Sequence, residues 1–129
     1  MKENSAGGVV IKDGKILLLK KFFGDWVLPK GKIEKEETTS ITALREVREE
    51  SGVEARIQKK LGWIQYEFYH RGRSHNKKVL WFKMKKIGGQ LAPLRQEGFV
   101  DLAFFTLEEL PTQQMHENEV LMIKKAFDA

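Results

Sequence analysis

Hydrophobic and polar positions along this chain follow two different periods. The β-branched stretch "SAGGVVIK" at 5–12 reads as a strand, and its glycines mark a close backbone approach. Asp13-Gly14 supplies a two-residue hairpin signal, and "KILLLKKF" at 15–22 is the returning strand. "GDWVLPKGK" at 24–32 is broken by Gly24, Pro29 and Gly31, so it is expected to be a loop with a short extended piece. The period then lengthens. Thr38, Thr39 and Ser40 are candidate N-caps for a helix that runs to about Ser51, and Gly52 sits where a left-handed stop belongs. At about 100° per residue, Ile41, Leu44 and Val47 share one side, while Glu46, Glu49 and Glu50 fall roughly opposite. The expectation is an amphipathic helix with an acidic outer face.

Alternation returns beyond the helix. "EARIQKKLGWIQYEFYH" at 54–70 and "KKVLWFKMKKI" at 77–87 read as strands, with "RGRSHN" as a basic turn between them. "GGQLAPLRQEG" at 88–98 is a loop, "FVDLAFFTL" at 99–107 a strand, and "LEELP" at 107–111 a short helical turn. "HENEVLMIKKAFDA" at 116–129 reads as a second helix, with Val120, Leu121, Ile123 and Phe127 on its apolar side. Strands interspersed with two helices predict an α/β or α+β domain in which helices pack on a sheet.

Composition narrows the class. The 129 residues suit one domain, 1–129, with 41% apolar residues to build its core and no linker or repeat to divide it. No stretch resembles a signal peptide, and the apolar run "ILLL" is far short of a membrane span. Zero cysteines exclude disulfides and thiolate chemistry and fit a cytoplasmic protein. A net charge of +5 favours anionic partners such as nucleotides and polyphosphates.

Against that basic background, the crowding of Glu46, Glu49 and Glu50 into five positions needs a cause. Like charges at i, i+3 and i, i+4 cost a few tenths of a kcal/mol each, by rough estimate. Their place in the second half of the helix sets them against the macrodipole as well. A solvated face neutralised by Arg45 and Arg48 is one account. A hard divalent cation is the other, because Mg²⁺ takes oxygen ligands and shares its sphere with substrate phosphates.

The frame around the cluster shifts the balance toward the cation. Gly31, five residues, Glu37, seven residues, then Arg45-Glu46-Val47, Glu49-Glu50 and Gly52-Val53 match every fixed position of the Nudix box. The chain resembles the Nudix hydrolase family over nearly its whole length, since "SAGGVVIKDGKILLLKK" looks like the family's opening strands and "FFTLEELP" like its closing segment. One departure is the Lys35-Glu36 pair, which stands where relatives commonly carry Pro-Gly and puts the loop geometry in question. The resemblance implies an α/β/α sandwich around a central mixed β-sheet, with the box as a catalytic loop–helix–loop. It implies hydrolysis of a nucleoside diphosphate linked to another group, with Mg²⁺ or Mn²⁺ as cofactor. Glu46 and Glu50 would be the central metal ligands, Glu49 a ligand or supporting partner, and the Gly31 carbonyl a further ligand. Arg45 would hold the box together through an ion pair, with Glu37 as its expected partner. Glu97 is the candidate extra carboxylate, ligand or base, from a later loop.

The substrate is read from two stretches. "LPKGK" resembles the entry to the box in hydrolases of diadenosine polyphosphates and diphosphoinositol polyphosphates, and it places Lys30 and Lys32 beside the metal site. In the second stretch, 63–86, Arg71, Arg73, Lys77 and Lys78 are phosphate-binding candidates, and Tyr66, Tyr69 and Trp81 are candidates to stack a base. This segment resembles bacterial diadenosine tetraphosphate hydrolases, in which a lysine early in the following strand contacts phosphate. Lys77 or Lys78 fills that position. His70, His75 and His116 lack metal-ligand spacing, and Trp26 is expected to pack beneath the box loop. The expected partner is a small nucleotide or polyphosphate, with nucleic acid entering only as an RNA 5′ end and no membrane involved. The alternatives are a diphosphoinositol polyphosphate, an oxidised nucleoside triphosphate or an RNA 5′-triphosphate as substrate, and a non-catalytic nucleotide sensor.

Overall fold

A computed structural model describes residues 2–128. The strands are β1 (Lys2–Lys12), β2 (Lys15–Lys21), β3 (Trp26–Val27), β4 (Lys30–Lys32), β5 (Val53–His70), β6 (Arg73–Gly89) and β7 (Phe99–Phe105). The helices are α1 (Thr39–Ser51) and α2 (Glu117–Asp128). The sheet is mixed: β1 pairs in parallel with β6, and the other ladders are antiparallel. Its order is β3-β2-β1-β6-β5, with β4 added to β1 and β7 added to β2.

Both faces of the sheet are covered, as the resemblance implies. One core layer joins Ala6, Val10, Leu17, Leu80 and Phe82 to Ala43 and Val47 of α1. The other joins Val9, Ile16, Leu18, Val79 and Trp81 to Met122, Ile123 and Ala126 of α2. The run "ILLL" is continuous because β2 is buried on both sides.

Several local expectations hold for local reasons. Thr38 caps α1 by accepting a hydrogen bond from the Ile41 amide at 3.2 Å. Gly52 closes it at φ 78°, its amide donating to the Arg48 carbonyl. Asp13-Gly14 turns with both residues at positive φ. The Lys35-Glu36 departure leaves a trace: Glu36 holds a left-handed φ of 70°, a backbone state that favours glycine.

Other expectations fail. Ile41 is exposed, and the buried stripe of α1 is Ala43, Val47, Glu50 and Ser51, with Thr42 beside it. The helix is rotated from the expected phase because these small residues let its backbone approach β1 and β4 closely. The acidic side is therefore not an outer face, since Glu50 is buried. Leu121 is likewise exposed, and Glu119 lies on the buried side of α2. The expected basic turn shrinks to Arg71-Gly72, with Arg73–Asn76 drawn into β6 by pairing with β5. The loop at 24–32 holds two short strands where one extended piece was expected, and β7 ends at Phe105; the expected turn does form at 107–109, with the Leu110 amide donating to the Leu107 carbonyl, and a 3-10 turn follows it at Thr112–Gln114.

Candidate active site

The site begins with a contact only glycine permits. A Cβ at Gly31 would overlap the Glu46 carboxylate, so β4 and α1 meet with that carboxylate seated against the backbone. Arg45 organises the acids around it. Its Nε donates to Glu37 Oε2 at 2.7 Å and one terminal nitrogen to Glu37 Oε1 at 2.9 Å, a two-point clasp. The other terminal nitrogen donates to Glu46 at 2.8 Å and to Glu49 at 3.1 Å. A further bond reaches the Lys32 carbonyl at 3.2 Å and ties the loop to the helix. The expected Arg45–Glu37 pair is thus present. The Arg45 hydrogen bond, first among its causes, holds the Glu37 carboxyl at about 2. The same bond raises Arg45 above the usual guanidinium range.

Glu50 is in a different state. Its side chain is buried against the sheet and accepts a hydrogen bond from the Lys30 amide at 3.1 Å. Burial, followed by the charge of Glu46, pushes its carboxyl up to about 8. Burial also raises Glu46. Glu97 stands in the 3-10 turn Arg95–Glu97, and its charge is felt by both. That turn is docked on the end of α1, where the carbonyls of Ser51 and Glu50 accept from the amides of Ala92 and Leu94. Two carbonyls that α1 leaves unpaired are thereby satisfied, and Glu97 is carried to the box.

Two adjoining cavities share Lys30, Lys77 and Val27. The smaller, about 160 Å³, is acidic and basic at once, with Glu50, Glu97, Lys21, Lys30 and Lys77 on its walls. The larger, about 340 Å³, is walled by Trp26, Tyr66 and Phe68, with His116, Gln114 and Glu119 among its polar groups. The Lys30 ammonium lies 3.7 Å from Glu119. Burial, then the charge of Lys30, lowers Lys77 below the usual lysine range.

Glu119 was not legible in the sequence. It accepts a hydrogen bond from the Leu28 amide at 2.7 Å, across 91 positions of chain. The "LPK" segment is thus held at one end by α2 and at the other by Glu50. Trp26 packs edge-on against Phe105 at 5.0 Å and also forms a cavity wall. His116, exposed on one side, stands edge-on to the Tyr66 ring at 4.9 Å.

Other candidates separate. Lys77 joins the cavities, whereas Lys78, one residue on and therefore on the opposite face, lines a separate pocket with Asn4 and Gln65. Tyr66 is a cavity wall, but Tyr69 is 82% exposed and sits about 10 Å further out along the hairpin. Trp81 is fully buried core and offers no stacking surface. Lys32 is exposed and lines neither cavity, and Arg71 and Arg73 lie at the exposed hairpin tip.

The oxygen-only donor set fits a hard divalent cation. Among the described residues, no group of three or more carboxylates and imidazoles is gathered as a ready metal cage. Mg²⁺ needs only one or two carboxylates besides waters and phosphates. A buried Glu50 with like charges facing it, and one amide for support, is an environment such an ion would relieve.

Comparison with known proteins is consistent with this geometry. The NUDIX domain model matches residues 1–125. The putative mutator protein MutT4 of Mycobacterium tuberculosis is 35% identical over 128 residues, covering 91% of this chain and 51% of that protein. The 8-oxo-(d)GTP phosphatase of Mycolicibacterium smegmatis is 35% identical over 71 residues, 55% of this chain and 21% of that protein. The chain therefore spans about half the length of the first relative and a fifth of the second. A NUDIX hydrolase structure from Nitrosomonas europaea superposes with a TM-score of 0.84 at 18% identity, covering 99% of this chain and 90% of that one, a likeness that bears on the fold.

Proposed function

We propose that this chain, which belongs to the NUDIX domain family, hydrolyses a phosphoanhydride bond in a nucleotide whose base enters the aromatic cavity and whose phosphates pass over Lys30 and Lys77. The observation that carries this reading is the sharing of those two lysines between the aromatic cavity and the carboxylate-lined one. A base stacked against Trp26, Tyr66 or Phe68 would have its phosphates delivered to the box.

Glu46, Glu49, Glu50 and Glu97, with the Gly31 carbonyl, are the groups that would hold Mg²⁺ or Mn²⁺. Bound there, the cation withdraws charge from the phosphates and lowers the pKa of water. The chain's own groups do the rest. Arg45 fixes Glu46, Glu49 and Glu37 in relative position. Lys30 and Lys77 neutralise and align the phosphates. A box carboxylate or Glu97 accepts the proton of the attacking water. The water oxygen bonds to phosphorus, the bridging P–O bond breaks, and the departing phosphate keeps the electron pair.

For the substrate, "LPKGK" and three lysines around the acidic cavity favour a long phosphate chain, as in diadenosine tetraphosphate cleaved to ATP and AMP. An oxidised nucleoside triphosphate is the second reading, favoured by the name of the M. smegmatis relative. Incubation of each compound with protein and Mg²⁺ in ¹⁸O-enriched water, followed by product analysis, separates them. Labelled AMP or ATP from diadenosine tetraphosphate supports the first. Turnover of the oxidised nucleotide alone replaces it with the second. No release from either, or from other nucleoside diphosphate derivatives, overturns hydrolysis itself.

A further inference from the structure

Phe22 and Phe23 are 74% and 59% exposed, at the tip of the β2–β3 hairpin. Two adjacent phenylalanines in water have no role in the core. Their backbone is nonetheless fixed. The Lys21 amide donates to the Asp25 carbonyl at 2.7 Å, and the Gly24 amide donates to the Lys21 carbonyl at 2.9 Å. The Phe22 amide donates to the Gly98 carbonyl, also at 2.9 Å. Gly98 sits at φ 86°, and a Cβ there would come within 3.3 Å of the Phe22 ring. The two rings meet edge to face at 5.1 Å.

Their position relative to the cavities matters more. Leu19 and Lys20 of β2 each pair with both β3 and β7, so those strands lie on opposite edges of β2. Trp26 and the aromatic cavity are on the β3 edge. Phe22 is joined to the β7 edge through Gly98, next to Glu97. Lys21 lies between. It lines the acidic cavity, and its ammonium stands 5.7 Å from the Phe23 ring. A phosphate chain entering from the aromatic cavity and passing Lys30 and Lys77 would leave beside Lys21.

We infer that Phe22 and Phe23 form a stacking platform for the second base of a dinucleoside polyphosphate, with Lys21 holding the phosphate nearest to it. The inference rests on the phosphoanhydride-hydrolase reading and names its substrate class, a polyphosphate with a base at each end. A backbone already fixed by the hairpin loses little freedom on stacking.

The test is steady-state kinetics of Phe22→Ala, Phe23→Ala and the double variant, with diadenosine tetraphosphate and with a single-base nucleoside triphosphate. For the two-base substrate, KM of the double variant should rise roughly 5- to 150-fold, the equivalent of 1–3 kcal/mol of stacking. Its kcat, and KM for the single-base substrate, should stay within about twofold. Phe23→Trp should restore the low KM. Thermal unfolding should be unchanged, since neither ring is buried. An equal rise in KM on both substrates, or none on the two-base one, overturns the platform alone. Failure of the wild type to cleave any two-base polyphosphate, while it cleaves single-base nucleotides, overturns the platform and leaves the hydrolase reading standing.

Discussion

Replacing Glu50 by glutamine separates the cost of its charge from its use. Glutamine keeps the shape and can still accept the Lys30 amide bond now at 3.1 Å. What it removes is a buried negative charge facing Glu46 and Glu97. A carboxyl raised from 4.5 to about 8 corresponds to on the order of 3–5 kcal/mol of destabilisation once ionised. The sign follows from proton linkage. The folded pKa lies above the unfolded one, so the folded state binds more protons in between. Stability therefore falls as pH rises from about 4 toward 8 and is lowest above that. In EDTA at pH 8.5, Glu50→Gln should unfold roughly 10 °C or more above wild type. At pH 4 the two should nearly coincide. Added Mg²⁺ should stabilise wild type and leave the variant unmoved, and turnover of the variant should fall more than about 100-fold. Calorimetry across pH, with and without Mg²⁺, reads the first effects and product release the last. A variant less stable than wild type at pH 8.5 without metal would refute the burial argument. Retained turnover would refute the role of Glu50 as a metal ligand.

Three further substitutions test the frame around it. Gly31→Ala should displace the Glu46 carboxylate and lower both Mg²⁺ affinity, read by titration, and kcat, because the added methyl occupies its position. Arg45→Lys keeps the charge but loses the two-point clasp on Glu37, so kcat/KM should fall about 10- to 100-fold with the fold intact by circular dichroism. Glu119→Ala leaves the Leu28 amide without its partner and should cost about 1–3 kcal/mol in denaturant titration, whereas Glu119→Gln, which still accepts that bond, should cost much less.

What could be read from the sequence was what neighbouring residues determine. Thr38 and Gly52 end α1 because caps act within one turn, and Asp13-Gly14 turns by its own dihedral preferences. The box residues were legible as a pattern, and Arg45 with Glu37 as a pair. The phase of α1 was not, because apolarity pointed to Ile41 while close approach to β1 and β4 selected Ala43 and Ser51. That rotation carries Glu50 inward, which no count of acidic residues reveals. Strand alternation separates Lys77 from Lys78, but the sequence does not say which face meets the cleft. Glu119 reads as an ordinary acid at a helix start, and only contact across the fold with Leu28 gives it a task.

The parallel ladder between β1 and β6 has a consequence in time. Hairpins and α1 close over short stretches of chain, but Lys2–Ile11 meets Asn76–Lys85 only after a loop of some seventy residues is brought together. α1 packs against β5 and β6 as well as β1 and β4, so its seat is complete only once that ladder has closed, and until then Glu50 keeps more of its water. Completing that seat is thus the step at which the charge loses the last of its water. Acid, which neutralises that carboxyl, or a divalent cation, which offsets it, would ease that step and speed refolding of the chain.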